Sequence, residues 1–297
     1  MNPRERGFLL LTSCLGNPER HPLTTAQFRT LTDRMAAMEQ PGEDRELQAS
    51  DLLALGYSQQ MARRILGLLE EEELLDYYVS RGRRAGCTPV TRVSEGYPLI
   101  LRKRLGTDSP GCLWSKGDVS LLERPAIALV GSRDLAPENR LFARKVGEQA
   151  AKQGFVLVSG NARGADKEAQ NACLRNGGSV VSVVADSLQE KEEHRQILYL
   201  SEEGYDQPFS AQRAISRNRV IHALGWRTLV AQAAENTGGT WDGTVKNLRG
   251  GWSTVFCFAD GSPAMALLTQ MGAGSVSLEM LEDLSSLQSR ELNFFDQ

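Results

Sequence analysis

A chain of 297 residues, 41% of them hydrophobic, with a formal net charge of −3, is long enough for one large and one small globular domain. The mild acidity excludes a uniformly basic nucleic-acid coat, so any polyanion site is a local basic pocket in an acidic body. No apolar run approaches the ~18 residues that span a bilayer. The five cysteines never form a CxxC pair, and no two of the three histidines stand at metal-ligand spacing, which argues for reduced thiols and against zinc.

The start is charged, and the apolar stretch 8–11 is too short for a secretory signal, so a cytoplasmic protein without a membrane partner is expected. Residues 1–96 read as a small all-α domain. A first helix is expected over 8–15. A second is expected over 24–38, opened by a Thr24 cap, with Phe28, Leu31, Met35 and Met38 at helical spacing. Pro41-Gly42-Glu43-Asp44 reads as a loop. Ser50 is placed to cap a helix over 52–55 that Gly56 ends. Ser58 precedes another apolar face of Met61, Ile65, Leu68 and Leu69. The acidic run Glu70, Glu71, Glu72 and Glu73 reads as a solvated helix surface. The basic stretch 79–86, with Arg81, Arg83 and Arg84, fits an exposed helix end better than a DNA-facing patch.

After about residue 105 the pattern changes to short β-rich runs alternating with helical stretches. Strands are expected over 126–130, 155–158, 180–184, 228–231 and 254–258. Helices are expected over 138–152, 165–176, 215–224 and 263–271. Such alternation predicts an α/β domain over 97–285: a Rossmann-like, mostly parallel sheet. Continuous apolar strands place helices on both faces. Residues 286–297 read as a loosely held polar tail, apart from Phe294 and Phe295.

In open α/β sheets, ligands bind beyond the carboxyl ends of the strands, so the turns there carry the candidate chemistry. Gly131-Ser132-Arg133 follows the first strand. It offers a flexible backbone, a hydroxyl and a planar guanidinium suited to phosphate, just ahead of a helix N-terminus. Ser159, Gly160, Arg163 and Gly164 repeat that chemistry after the second strand, with Asp166 placed to cap the next helix. Arg217, Asn218 and Arg219 form a third segment near a helix start. These residues make a shared anion pocket, with no metal, cofactor or catalytic group assigned. There is no G-x-G-x-x-G, no G-x-x-x-x-G-K-[ST], no G-x-S-x-G and no H-E-x-x-H. Acid pairs such as Asp186 and Glu190 are not brought around a metal by any pattern.

The order of these segments resembles the DprA/Smf DNA-processing family from about residue 97 to 284. The resemblance runs through Tyr97-Pro98-Leu99-Ile100-Leu101-Arg102, then Leu113-Trp114-Ser115-Lys116-Gly117, then Ala128-Leu129-Val130-Gly131-Ser132-Arg133. It continues through Ser159-Gly160-Asn161-Ala162-Arg163-Gly164-Ala165-Asp166, Gly177-Gly178-Ser179, Leu200-Ser201-Glu202 and Arg217-Asn218-Arg219-Val220-Ile221. Asn161 and Ala165 stand where the family is usually apolar. Val230-Ala231-Gln232 replaces Val-Glu-Ala, Thr237-Gly238-Gly239-Thr240 replaces Ser-Gly-Ser, and Ala259-Asp260-Gly261 follows the last strand in place of Pro-Gly. Too few residues follow Leu284 for the winged helix of many members.

The resemblance implies a small helical domain of SAM or helix-hairpin-helix type at the N-terminus. It also implies a non-catalytic protein that holds single-stranded DNA in a basic pocket. Such proteins form a homodimer and hand the strand to a RecA-type recombinase, notably in natural transformation. Two other readings use the same pocket: a sensor of a nucleotide-derived signal, or an enzyme similar to LOG-type nucleotide phosphoribohydrolases. The second rests on Thr237-Gly238-Gly239-Thr240, but Val245, Lys246, Asn247 and Leu248 follow where that enzyme class carries an acid.

Overall fold

The computed structural model describes residues 1–37 and 46–287. Met38, the loop expected over 41–44 and Phe294-Phe295 lie outside them. The chain divides into two compact units, one formed by Met1–Tyr97 with Gly111–Leu113, the other by Pro98–Pro110 and the chain from Trp114 onward.

The first unit holds α1 (Pro3–Thr12), α2 (Thr25–Ala36), α3 (Ala49–Ala54), α4 (Gln59–Leu69), α5 (Glu72–Arg84) and the short strand β1 (Thr88–Thr91). α1 starts five residues before the expected position. Asn2 and Glu5 form a reciprocal capping box, with Pro3 in the first turn. Thr24 caps α2 as expected and Ser58 caps α4, whereas α3 starts at Ala49 with Gln48, not Ser50, at its N-cap. Leu11, Leu23, Leu31, Leu52, Ala62, Ile65 and Leu68 form the core. The acidic run straddles the junction of α4 and α5 and is not merely solvated. Glu71 pairs with buried Arg20, whose guanidinium also donates to the carbonyls of Leu10, Ser13 and Leu68. Glu72 and Asp76 pair with Arg6. Arg81, Arg83 and Arg84 end α5, where cations favour the helix dipole.

The second unit contains α6 (Leu99–Leu105), β2 (Cys112–Lys116, whose first residues belong to the first unit), β3 (Ala126–Val130), α7 (Pro137–Lys152), β4 (Val156–Ser159), α8 (Ala165–Arg175) and β5 (Ser179–Val183). It continues with β6 (Ile197–Ser201), α9 (Ala211–Ser216), α10 (Asn218–Leu224), β7 (Arg227–Val230), α11 (Gly238–Gly250), β8 (Thr254–Phe258), α12 (Pro263–Gln270) and β9 (Gly274–Val276). The strand order is β2-β6-β5-β4-β3-β7-β8-β9. All neighbours run parallel except β2 and β6. Every residue of β4 and β7 is buried, so both faces are covered. α7 packs on α8, while α10 packs on α6 and α11. From β3 the chain moves outward to β4, β5 and β6, then returns to the other side of β3 for β7, β8 and β9. The crevice of the fold therefore opens at the carboxyl ends of β3 and β7.

Several elements escape the periodicity reading. β1, α6, β2, β6 and β9 are short, and α11 begins Gly238-Gly239 and contains Gly243, residues that argue against a helix. Gly243 is there for packing: a side chain on it would lie 3.2 Å from Asn218 Cβ and 3.3 Å from His222 Nε2. The helix expected over 215–224 is two, interrupted at Arg217.

Between α10, β7 and α11 lies a buried polar cluster. Asn247 Nδ2 donates to His222 Nδ1 at 3.0 Å, which leaves the ring proton on Nε2. Thr228 and Ser253 hydroxyls bond at 2.7 Å. Burial pushes the His222 imidazole down from 6.5 to about 3. The folded state therefore refuses a proton that the unfolded chain accepts below its ordinary value. This contribution to stability is complete above pH 6.5 and is lost as pH falls from there toward 3. Denaturant titrations at pH 7 and 5 should show a loss of ~2 kcal/mol, at ~1.4 kcal/mol per pH unit, that His222→Gln does not share. Equal losses in both proteins would show that His222 is not the titrating group.

Candidate functional site

Two of the three turns are welded backbone to backbone. At the end of β3, a side chain on Gly131 would lie 2.5 Å from Ala165 Cβ and 3.1 Å from Ala231 Cβ. Glycine there lets the start of α8 and the end of β7 close on the first turn. Ser132 N–H and Oγ both donate to Gln232 O, at 3.0 and 3.2 Å, and Ser132 O accepts from Ala165 N–H at 3.2 Å. Gly164 has φ +86°, and a Cβ on it would lie 2.4 Å from both Ser132 O and Arg133 O. α7 has no capping side chain of its own at Ala136. Gln232 serves instead, its Oε1 accepting from Ala136 N–H at 2.9 Å.

The second turn is shaped from within. Asp166 is buried, and its Oδ2 accepts from Ala162 N–H at 3.1 Å, holding 160–166 in a loop in which Asn161 takes φ +61°. Burial pushes the Asp166 carboxyl up, and Arg217, 4.0 Å away, pulls it back down. Arg217 lies directly over Gly160, where a Cβ would fall 1.7 Å from its Nη1. Arg217 Nη1 donates to Val183 O, but its buried Nε has no partner among the described residues. Desolvation lowers the Arg217 pKa; Asp166, Asp186 and Glu202 offset part of that, and Arg133 adds to it. A guanidinium normally keeps its charge, so the floor of the site is an incompletely compensated cation.

At the surface, Arg133 is exposed and makes no hydrogen bond or ion pair among the described residues. Arg163 pairs with Asp134 at 2.7 Å, but both side chains are open to water, 75% and 87% exposed. Such a pair is worth at most ~1 kcal/mol and yields readily to a phosphate. The structure thus gathers Gly131, Ser132, Arg133, Gly160, Arg163, Gly164 and Arg217 at one edge.

Three expected residues are used differently. Ser159 is fully buried and accepts from Gln170 Nε2 at 2.6 Å. Asn218 Nδ2 donates to Gly239 O at 3.0 Å, tying α10 to the start of α11. Arg219 pairs with Glu202 and donates to Asp108 O and Ser216 O, at 2.9 and 2.7 Å. These three hold the frame around the site. Gln232 was missed as a site residue; its signal was a polar side chain directly beyond a continuous apolar strand at the switch point. Among the described residues no group of His, Cys, Asp or Glu is placed to hold a metal ion, and no helix is long and apolar enough to cross a membrane.

Comparison with known proteins places this geometry in context. The model of the family described as DNA recombination-mediator protein A matches residues 88–245, just over half of the chain. The DNA processing protein DprA of Streptococcus pneumoniae is 33% identical over 141 residues, covering 44% of this chain and 50% of that protein. This chain spans about half the length of the curated relatives it matches. The solved structure of DprA from Streptococcus pneumoniae aligns with a TM-score of 0.68 at 24% identity, over 86% of this chain and 90% of that one. DNA processing protein A from Helicobacter pylori, solved for its single-stranded DNA binding mode, aligns with a TM-score of 0.54 at 22% identity, over 66% of this chain and 94% of that one. Both structures share the fold.

Proposed function

Because the chain belongs to the DNA recombination-mediator protein A (DprA/Smf) family, we propose that it binds single-stranded DNA at the carboxyl edge of β3 and β4 and does not cut it. One observation carries this reading. Two glycine turns are locked together, with an unpaired Arg133 and a weakly held Arg163 at the surface and a buried Arg217 as the floor. Backbone N–H groups and guanidiniums contact phosphates without reading bases, which suits a protein that takes strands of any sequence. Protection of exposed strands, delivery to a RecA-type recombinase, a homodimeric state and a cytoplasmic setting belong to the same proposal, supported by family membership.

The test is fluorescence anisotropy of a labelled ~30-nucleotide single strand, longer than one site of usual size, with duplex and mononucleotide competitors. Binding that weakens with salt and resists both competitors is expected, as is an intact strand after incubation with magnesium. Displacement by a mononucleotide would assign the pocket to a small ligand. Cleavage that is lost in an Arg133 variant would overturn the non-catalytic reading.

A further inference from the structure

The opposite, amino-terminal edge of the sheet carries a second concentration of positive charge and aromatic surface. Its members are joined in a row by direct contacts. Arg104 Nη1 donates to Ala223 O at 2.9 Å and to Gly225 O. Trp226 comes next in the chain, and its N–H donates to Ala126 O at 2.7 Å. The Arg227 guanidinium lies 3.8 Å from the centre of the Trp226 ring. Phe155 stacks beside Trp226, with ring centres 6.3 Å apart and planes 23° apart. Arg124 then donates to Gly154 O at 3.5 Å and to Ser179 Oγ at 3.1 Å. The register fixes this as one edge. Ala126 pairs with Val156 and Ile127 with Arg227, so Pro125, Phe155 and Trp226 all precede the starts of neighbouring strands.

Two features of the row call for an external partner. Arg104, Arg124 and Arg227 satisfy their hydrogen bonds on neutral oxygens, Arg227 through Leu284 O at 2.6 Å. None of the three forms an ion pair among the described residues. Asp118 and Asp283 interact with Arg124 and Arg227 from beyond ion-pair distance. Desolvation already lowers the pKa of Arg104, so an added anion is favoured there, while Arg227 is buried at the start of β7 and supports the Trp226 ring. The second feature is Trp226 itself, a large aromatic left 46% exposed in a position fixed by its backbone bond and its two ring neighbours. Cations and an exposed aromatic side by side match the two halves of a nucleotide: phosphate on the guanidiniums, base on the indole.

We propose that the amino-terminal edge formed by Arg104, Arg124, Phe155, Trp226 and Arg227 is a second contact for single-stranded nucleic acid, engaged when a strand held at the carboxyl edge is long enough to pass around the sheet. The inference rests on the function proposed above, and strand length separates the two. A ~10-nucleotide strand fits one site of usual size, whereas a ~40-nucleotide strand exceeds it. With the full chain, Trp226→Ala is expected to weaken binding of the ~40-nucleotide strand by roughly fivefold or more. Arg124→Gln is expected to lower the slope of log affinity against log salt by about 0.7–1 for that strand. Neither variant should change binding of the ~10-nucleotide strand. Trp226→Phe, which keeps an aromatic face, should restore most of the loss. If Trp226→Ala unfolds, Arg124→Glu on the surface answers the same question with a larger loss on the long strand. Unchanged long-strand affinity and slope in folded variants would overturn the inference and leave the edge to a protein partner. Equal losses on both lengths would also overturn it. Failure of the unaltered protein to bind either strand would instead refute the proposed function.

Discussion

Arg133→Ala is expected to weaken single-stranded DNA binding by about 10- to 100-fold, the range of one hydrogen-bonded charge contact at ~1.5–3 kcal/mol. Arg163→Ala should cost less, because Arg163 must first leave Asp134. Each variant should also lower the salt slope by ~0.7–1 per lost phosphate contact, with no change in sequence preference. The pairing itself gives an internal check. Asp134→Asn frees Arg163 and should tighten binding, by no more than the ~1 kcal/mol of an exposed ion pair. Anisotropy titrations at several salt concentrations read all three effects. Unchanged affinity and slope in both arginine variants would mean that the strand sits elsewhere.

Gly164→Ala is expected to destabilise the protein by ~3 kcal/mol or more and to abolish binding. The residue has φ +86°, and the new Cβ would fall 2.4 Å from the carbonyl oxygens of Ser132 and Arg133. Backbone strain accounts for ~1–3 kcal/mol and the forced contact for ~1–3 more. Gly177→Ala isolates the first contribution. Its φ is +75°, but nothing lies within 4 Å of the Cβ position, so a loss of only ~1 kcal/mol is expected. Thermal unfolding, at ~2–4 °C per kcal/mol for a domain of this size, separates the two variants. Equal losses would show that the turns are not welded as the geometry requires.

The core strands were legible because they are buried on both faces and so read as unbroken apolar runs; β3, β4, β5, β7 and β8 all fall where those runs lie. α11 was not legible, because Gly239 and Gly243 serve the approach of α10 rather than local helix preference. The glycine turns of the site were visible as local composition following strands. The orientation of the arginines was not. Arg217 and Arg219 stand two residues apart, yet one lies over Gly160 as part of the pocket floor and the other binds Glu202 and Asp108 O. Arg217 reaches Gly160 and Val183, and Asn139 reaches Ala231 O and Asp260 at 2.7 Å each. Contacts so distant in sequence leave no periodic signature. Ser159 was ambiguous for a related reason: a serine ending a strand looks the same whether its hydroxyl meets a ligand or a buried Gln170.

Amide hydrogen exchange of the full chain, with and without a saturating ~30-nucleotide single strand, tests the placement of the strand most directly. Protection concentrated at 131–133 and 160–164 is predicted. Protection absent from both turns while the strand is demonstrably bound would contradict a strand held at the carboxyl edge of β3 and β4.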